Sequence, residues 1–151
     1  MDFPALKIGG LVSRIPVIQG GMGVGISLAG LASAVANEGG IGVIAAAMIG
    51  IDEPDITVNP TEANIRALKR EIRKARELTG GIVGVNIMVA MTHYADLVKA
   101  SIEEGVDIII SGAGLPMDLP GYLENGAKTR LVPIVSSARA AKLICQKWLA
   151  K

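Results

Sequence analysis

IPVIQGGMGVGISLAGLASAVANEGGIGVIAAA, residues 15–47, decides the fold. Its two ends, IPVIQ (15–19) and IGVIAAA (41–47), are short, almost unbroken apolar runs rich in β-branched residues, as strands covered on both faces should be. Between them Leu28, Leu31, Ala32 and Val35 share one face of a helix, which Ser27 caps at its start and Gly39 ends in a left-handed conformation. A strand, a helix and a second strand at this spacing make a right-handed crossover between parallel strands.

The same alternation continues along the chain. IVGVNIMV (82–89), VDIIIS (106–111) and LVPIVSS (131–137) read as three further strands. The helix before the first of them is signposted by Asn59 as N-cap, Pro60 at the first helical position and Glu62 as capping-box partner, with Ile65, Leu68, Ile72 and Ala75 as its buried stripe. A third helix carries Tyr94, Leu97, Val98 and Ile102 and stops at Gly105. A short fourth runs from Leu119 to Asn125 and ends at Gly126, and a fifth starts at Ser137 or Ala138 and is still helical in pattern at Lys151. Five strand-then-helix units imply an α/β fold with a parallel sheet, either open and doubly wound or part of a (β/α) barrel.

Composition narrows the class. The chain has 151 residues, half of them hydrophobic, which is one globular domain's worth. Fifteen Lys and Arg against fourteen Asp and Glu leave a formal charge of +1, so no overall field draws it to nucleic acid or an anionic membrane. The apolar stretch GGIGVIAAAMIGI is too short and too glycine-broken to span a bilayer. Cys145 is the single cysteine and MDFPALKIGG has no signal-peptide pattern, so the expected compartment is the cytoplasm. No cluster of residues suggests a metal site.

Both candidate folds place ligands beyond the carboxyl ends of the strands, where this sequence keeps its unusual residues. These are QGGMGVG (19–25) after the first strand, Asn86 within the third, SGAG (111–114) after the fourth and Ser136 after the fifth. A dinucleotide fingerprint is excluded. Counted from Gly21 its third glycine would fall on Ile26, and the second strand runs into Met48, Ile49 and Gly50 with no acidic residue. A Walker A loop is absent too. Two explanations of the bare backbone stay open: a tight turn into the first helix, or a flat heterocycle resting on main chain that lacks Cβ atoms.

Read in order, IPVIQGGMG, GGIGVIAA, GVNIMVA, DIIISGAGLP and VPIVSSARAAKL resemble the nitronate monooxygenase family, formerly the 2-nitropropane dioxygenases. They resemble equally its relatives, the FMN-dependent enoyl-acyl-carrier-protein reductases. The resemblance runs nearly the whole length and implies a TIM barrel with FMN at its carboxyl face. It implies that Gln19, Gly20, Gly21, Met22 and Gly23 line the flavin through their main chain, and that Asn86 hydrogen-bonds the ring or the substrate. By the same resemblance Gly112, Ala113 and Gly114 floor the pocket, with Ser136 at its edge. A whole barrel takes eight strands and roughly 250 residues. Five strands and an uncapped last helix therefore read as the N-terminal five (β/α) units, residues 1–151 forming one incomplete barrel domain. The histidine and phosphate loops of the family follow later strands, so no catalytic residue is carried over.

The remaining residues read plainly. His93 is expected to be an ordinary polar residue of a surface helix, and Cys145 a buried thiol beside Leu143, Ile144 and Trp148. EANIRALKREIRKARE alternates charge and reads as a solvated outer face. SGAGLP serves equally as an anion-binding nest or a simple strand exit. Met22, Met48, Met88 and Met91 lie at or near strand ends, where they shape an adaptable pocket or fill gaps. Asn86, polar inside an apolar strand, is expected to meet a ligand.

Three functions follow as expectations. The first is FMN-dependent oxidation of an alkyl nitronate by O2, and the second reduction of an enoyl thioester with NAD(P)H. The third, from another class, is a non-catalytic half barrel that pairs with a second copy through exposed strand edges, or an inactive truncated product.

Overall fold

A computed structural model describes residues 3–123 and 126–150. The chain opens with an antiparallel hairpin, β1 (Leu6–Ile8) and β2 (Leu11–Ser13), in which Leu6 pairs with Ser13. Then come α1 (Ala29–Asn37), β3 (Ile41–Ala45), α2 (Pro60–Leu78), β4 (Ile82–Met88), α3 (Tyr94–Glu103) and β5 (Ile108–Gly112). A 3₁₀ turn (Leu119–Tyr122), β6 (Arg130–Pro133) and α4 (Ala138–Leu149) complete it. Strands β3, β4, β5 and β6 form one parallel sheet in chain order, each joined to the next by a crossover.

The sheet has two apolar faces. The outer one carries Ile44, Val83, Val85, Ile87 and Ile109 against Ala32, Leu68, Ile72, Leu97 and Val98 of the helices. The inner one carries Ile41, Val43, Ile108 and Ile110, and the hairpin's Leu6, Ile8 and Leu11 cover it where the strands begin. Helix α1 lies so close to β3 that a Cβ on Gly42 would come 1.8 Å from the Ala32 carbonyl oxygen. Among the described residues no helix is long and apolar enough to cross a membrane.

Several local expectations are corrected. Residues 15–19 make one parallel bridge, Ile18 to Ile41, and not a full strand, because Pro16 has no N–H and the Val17 N–H folds back onto the Ile15 carbonyl. The hairpin was not expected at all, although Gly9 and Gly10 supply its two-residue turn, with Gly9 at φ 58°. Ser27 does not cap α1. That role falls to Glu71 of α2, whose buried carboxylate accepts from the Ala29 N–H at 3.0 Å. Asn59 makes no side-chain cap, while Ser137 does cap α4, accepting from the Ala140 N–H at 3.2 Å. The fourth helix is only the 3₁₀ turn, since Pro120 and Gly121 fall inside it; Asn125, its expected end, and Lys151 lie outside the described residues. Cys145 is exposed, because α4 turns only Ile144 fully inward.

The charged face of α2 is solvent-facing as expected, but apart from a 4.0 Å contact between Arg70 and Glu71 its ion pairs among the described residues run to other elements. Lys69 meets Glu103, Arg73 meets Glu104 and Arg76 meets Asp107. Arg66 and Arg70 both grip Glu53, and Arg66 also holds Asp55, so the turns after β3 are strapped to α2. The guanidinium of Arg70, then that of Arg66, holds the Glu53 carboxyl below its ordinary value.

Candidate functional site

At Gln19 the main chain leaves the sheet and the side chain takes its place. The Gln19 N–H donates to the Ile41 carbonyl at 3.0 Å, and main-chain bonding along this edge of β3 resumes only where the Ala45 N–H donates to the Ser27 carbonyl at 2.9 Å. The next rung is made by the carboxamide. Its Nε2 donates to the Val43 carbonyl at 3.0 Å and its Oε1 accepts from the Val43 N–H at 3.1 Å. Residues 20–27 then arch over the strand ends, closed by the buried Ser27 hydroxyl, which accepts from the Met22 N–H at 3.0 Å. The arch is tied to the neighbouring rim by the Val24 N–H on the Ala47 carbonyl, 2.9 Å. Among the described residues no hydrogen bond uses the N–H of Gly20, Gly21 or Gly23.

The glycines of this rim are bare for different reasons. A Cβ on Gly20 would meet nothing within 4 Å. One on Gly21 would come 2.7 Å from the Asn86 Cβ, and one on Gly112 would come 2.8 Å from the Ile134 Cβ. Gly23 is pressed against Ala47 and Gly114 against Val89. Gly20, and in the arch Gly25 with its positive φ, therefore face open space; Gly21, Gly23, Gly112 and Gly114 let the protein's own groups approach.

Asn86 stands on β4 between Ala45 and Ile110 of the adjoining strands. Its one side-chain hydrogen bond among the described residues is a long 3.5 Å contact from Nδ2 to the Gly21 carbonyl, too weak to occupy the amide. A hollow of about 220 Å³ opens here, lined by Gln19, Gly20, Gly21, Val43, Asn86 and Ile110. Ile134 closes it and also lines a neighbouring hollow of about 370 Å³ with Ala113, Gly114 and Ser136. Seven of the ten residues expected at the site thus line two adjoining hollows. Met22 stands out in solvent, Gly23 packs on Ala47, and Gly112 is buried within β5.

Sequence reading missed the strain of this rim. Val24, Met48 and Ala113 have φ of 54°, 52° and 54°, and each lies in the arch or in a loop just past a strand's carboxyl end. A left-handed β-branched or bulky residue costs about 1–3 kcal/mol, and such outliers gather at functional sites. Nothing in single residues announces it. Behind β5, Tyr94 packs edge-on to Tyr122 and bonds the Ser111 hydroxyl at 2.8 Å, which itself donates to the Ile87 carbonyl. Burial pushes the Tyr94 phenol up. His93, expected to be an ordinary polar residue of a surface helix, is half-buried and bonds the Thr61 hydroxyl at 2.8 Å through Nδ1, so it joins the start of α3 to α2.

The family model of nitronate monooxygenase matches residues 6–150. The chain belongs to the nitronate monooxygenase family. Within 129 residues it is 30% identical to the (3aS,4S,5R,7aS)-5-hydroxy-7a-methyl-1-oxo-octahydro-1H-indene-4-carboxyl-CoA dehydrogenase of Mycobacterium tuberculosis, covering 85% of this chain and 32% of that one. Its fold is similar to that of FabK from Thermotoga maritima, with a TM-score of 0.66 and 29% identity over 87% of this chain and 37% of that one. Nitroalkane oxidase from Streptomyces ansochromogenes shares the fold alone, with a TM-score of 0.69 and 18% identity over 88% of this chain and 44% of that one. The chain thus spans between 32% and 44% of these relatives' lengths. Parallel strands in chain order, helices on the outer face and these likenesses make the architecture that of successive (β/α) units of a TIM barrel. In this nitronate monooxygenase family member the rim described above is the carboxyl face of those units.

Proposed function

We infer that the strand-end rim holds FMN and serves an oxidoreductase that oxidises an alkyl nitronate with O2. One observation carries the reading: Gly20, with open space where a Cβ would be, stands beside unbonded main-chain N–H groups and the under-used carboxamide of Asn86. Those residue types fit a flat heterocycle with acceptors along its edge. Bound FMN supplies reversible electron acceptance. The rest is done by the chain's own residues. Gly20, Gly21 and Gly23 offer N–H donors, and Asn86 offers both a donor and an acceptor to the ring edge or the substrate. Val43, Ile110 and Ile134 exclude water, which strengthens those polar contacts. Ser136 places a hydroxyl at the margin of the second hollow.

A second reading takes an enoyl thioester as substrate and NAD(P)H as donor. It is favoured by the likeness to a relative whose name specifies a carboxyl-CoA compound, and by the likeness to FabK. The intact protein, purified and assayed for flavin absorbance, distinguishes them. O2 uptake dependent on alkyl nitronate supports the first reading, and NADPH oxidation dependent on an enoyl thioester transfers the site to the second. A protein that neither retains nor binds flavin overturns both.

A further inference from the structure

The two bonds between the Gln19 carboxamide and Val43 supply, from one side chain, what two main-chain residues flanking the rung supply in a parallel ladder, as Val17 and Gln19 do for Ile41: an acceptor for the N–H and a donor for the C=O on the same edge. Had the chain continued as strand, its own main chain would fill that rung. We propose that Gln19 is the positioning residue of the rim, its carboxamide substituting for the main chain at Val43 and so lifting Gly20–Gly23 off the sheet with the N–H groups of Gly20, Gly21 and Gly23 free. Three facts converge on this. Main-chain bonding to this edge of β3 breaks off at Gln19 and resumes only at the Ser27 carbonyl on the Ala45 N–H, the Val43 rung between them is fully satisfied by the side chain, and the arch is held in its lifted course by Ser27 and by Ala47.

The residue identity follows from chemistry. A rung needs one donor and one acceptor at fixed separation, which a carboxamide has and an ionised carboxylate or an alkyl group lacks. Asn is shorter by one methylene and does not span the gap without moving the backbone. Gln19 thereby acts on the ligand through the backbone it releases and not by touching it. This role for flavin rests on the proposed function; the rung itself does not.

Hydrogen exchange of individual amides in the intact protein tests the rung, comparing wild type with Gln19→Leu and Gln19→Glu. In Gln19→Leu the Val43 amide loses protection by on the order of tenfold while amides inside β4 keep theirs. Gln19→Glu loses it at pH 7 and regains it in acid, where the protonated carboxyl again carries a donor and an acceptor; a merely space-filling side chain gives no such rescue. FMN titration of the same variants, followed by flavin fluorescence, is expected to show at least tenfold weaker binding in Gln19→Leu. Equal Val43 protection in all three proteins overturns the rung. Lost protection with unchanged FMN affinity overturns the lifting role, and absence of flavin binding in wild type overturns the proposed function while the exchange data still decide the rung.

Discussion

Gly20 and Gly21 are neighbours with opposite constraints. A methyl at Gly20 enters open space, whereas a methyl at Gly21 strikes Asn86. Gly20→Ala is therefore expected to leave stability within about 0.5 kcal/mol of wild type, or to raise it slightly by restricting the unfolded chain. Gly21→Ala is expected to cost about 1–3 kcal/mol, because Asn86 must leave its place on β4. Urea denaturation of both variants checks the pair. The glycine run was legible as a place where backbone lies bare, but not the reason at each position. Gly21 is bare for a residue 65 positions later in the chain, and no local pattern carries that. Gln19 was expected to act through its main chain. Its side chain turns out to be committed to Val43, which spacing alone does not reveal.

Among elements, the caps and close approaches decide stability. Glu71 reaches from α2 to the first N–H of α1, so Glu71→Ala is expected to cost about 1–3 kcal/mol by stranding the Ala29 N–H, and Glu71→Gln less, since an acceptor remains. Gly42→Ala drives a methyl into the Ala32 carbonyl and is expected to cost about 3 kcal/mol by pushing α1 off the sheet. Thermal unfolding of these variants is the check. The strap of Glu53 and Asp55 onto Arg66 and Arg70 responds to solution conditions. Arg70 and Arg66 lower the Glu53 pKa from 4.5, so the strap's contribution is present above about pH 4.5 and lost as pH falls through the lower folded value. Proteolysis within residues 48–58 is accordingly expected to speed up in acid and in high salt. Most of this level was readable, because long helices carry their stripe in the sequence: α2 turns Leu68, Ile72 and Ala75 inward as its periodicity requires. The three-residue strands of the hairpin are too short to show a period of two. Ser27 looked like a cap because it precedes a helical stripe, yet tertiary bonding claimed its hydroxyl for the Met22 N–H and left the cap to Glu71.

For the molecule as a whole, alternating apolar runs and amphipathic helices led directly to parallel (β/α) units, and the sheet order β3, β4, β5, β6 follows chain order as that reading requires. The exception is the first strand, where Pro16 and the departure at Gln19 leave one bridge in place of a ladder. That departure is also what makes a rim. Strained residues, free N–H groups and both hollows all lie at the carboxyl ends of the strands, while the opposite end is sealed by the hairpin. The most direct test is a titration of the intact, amide-labelled protein with FMN, followed by NMR. The backbone amides of Gly20, Gly21 and Gly23 and the Asn86 side-chain amide are expected to shift together and saturate with one site. Saturable shifts confined to another surface, with these amides unmoved, would contradict a flavin rim at the strand ends.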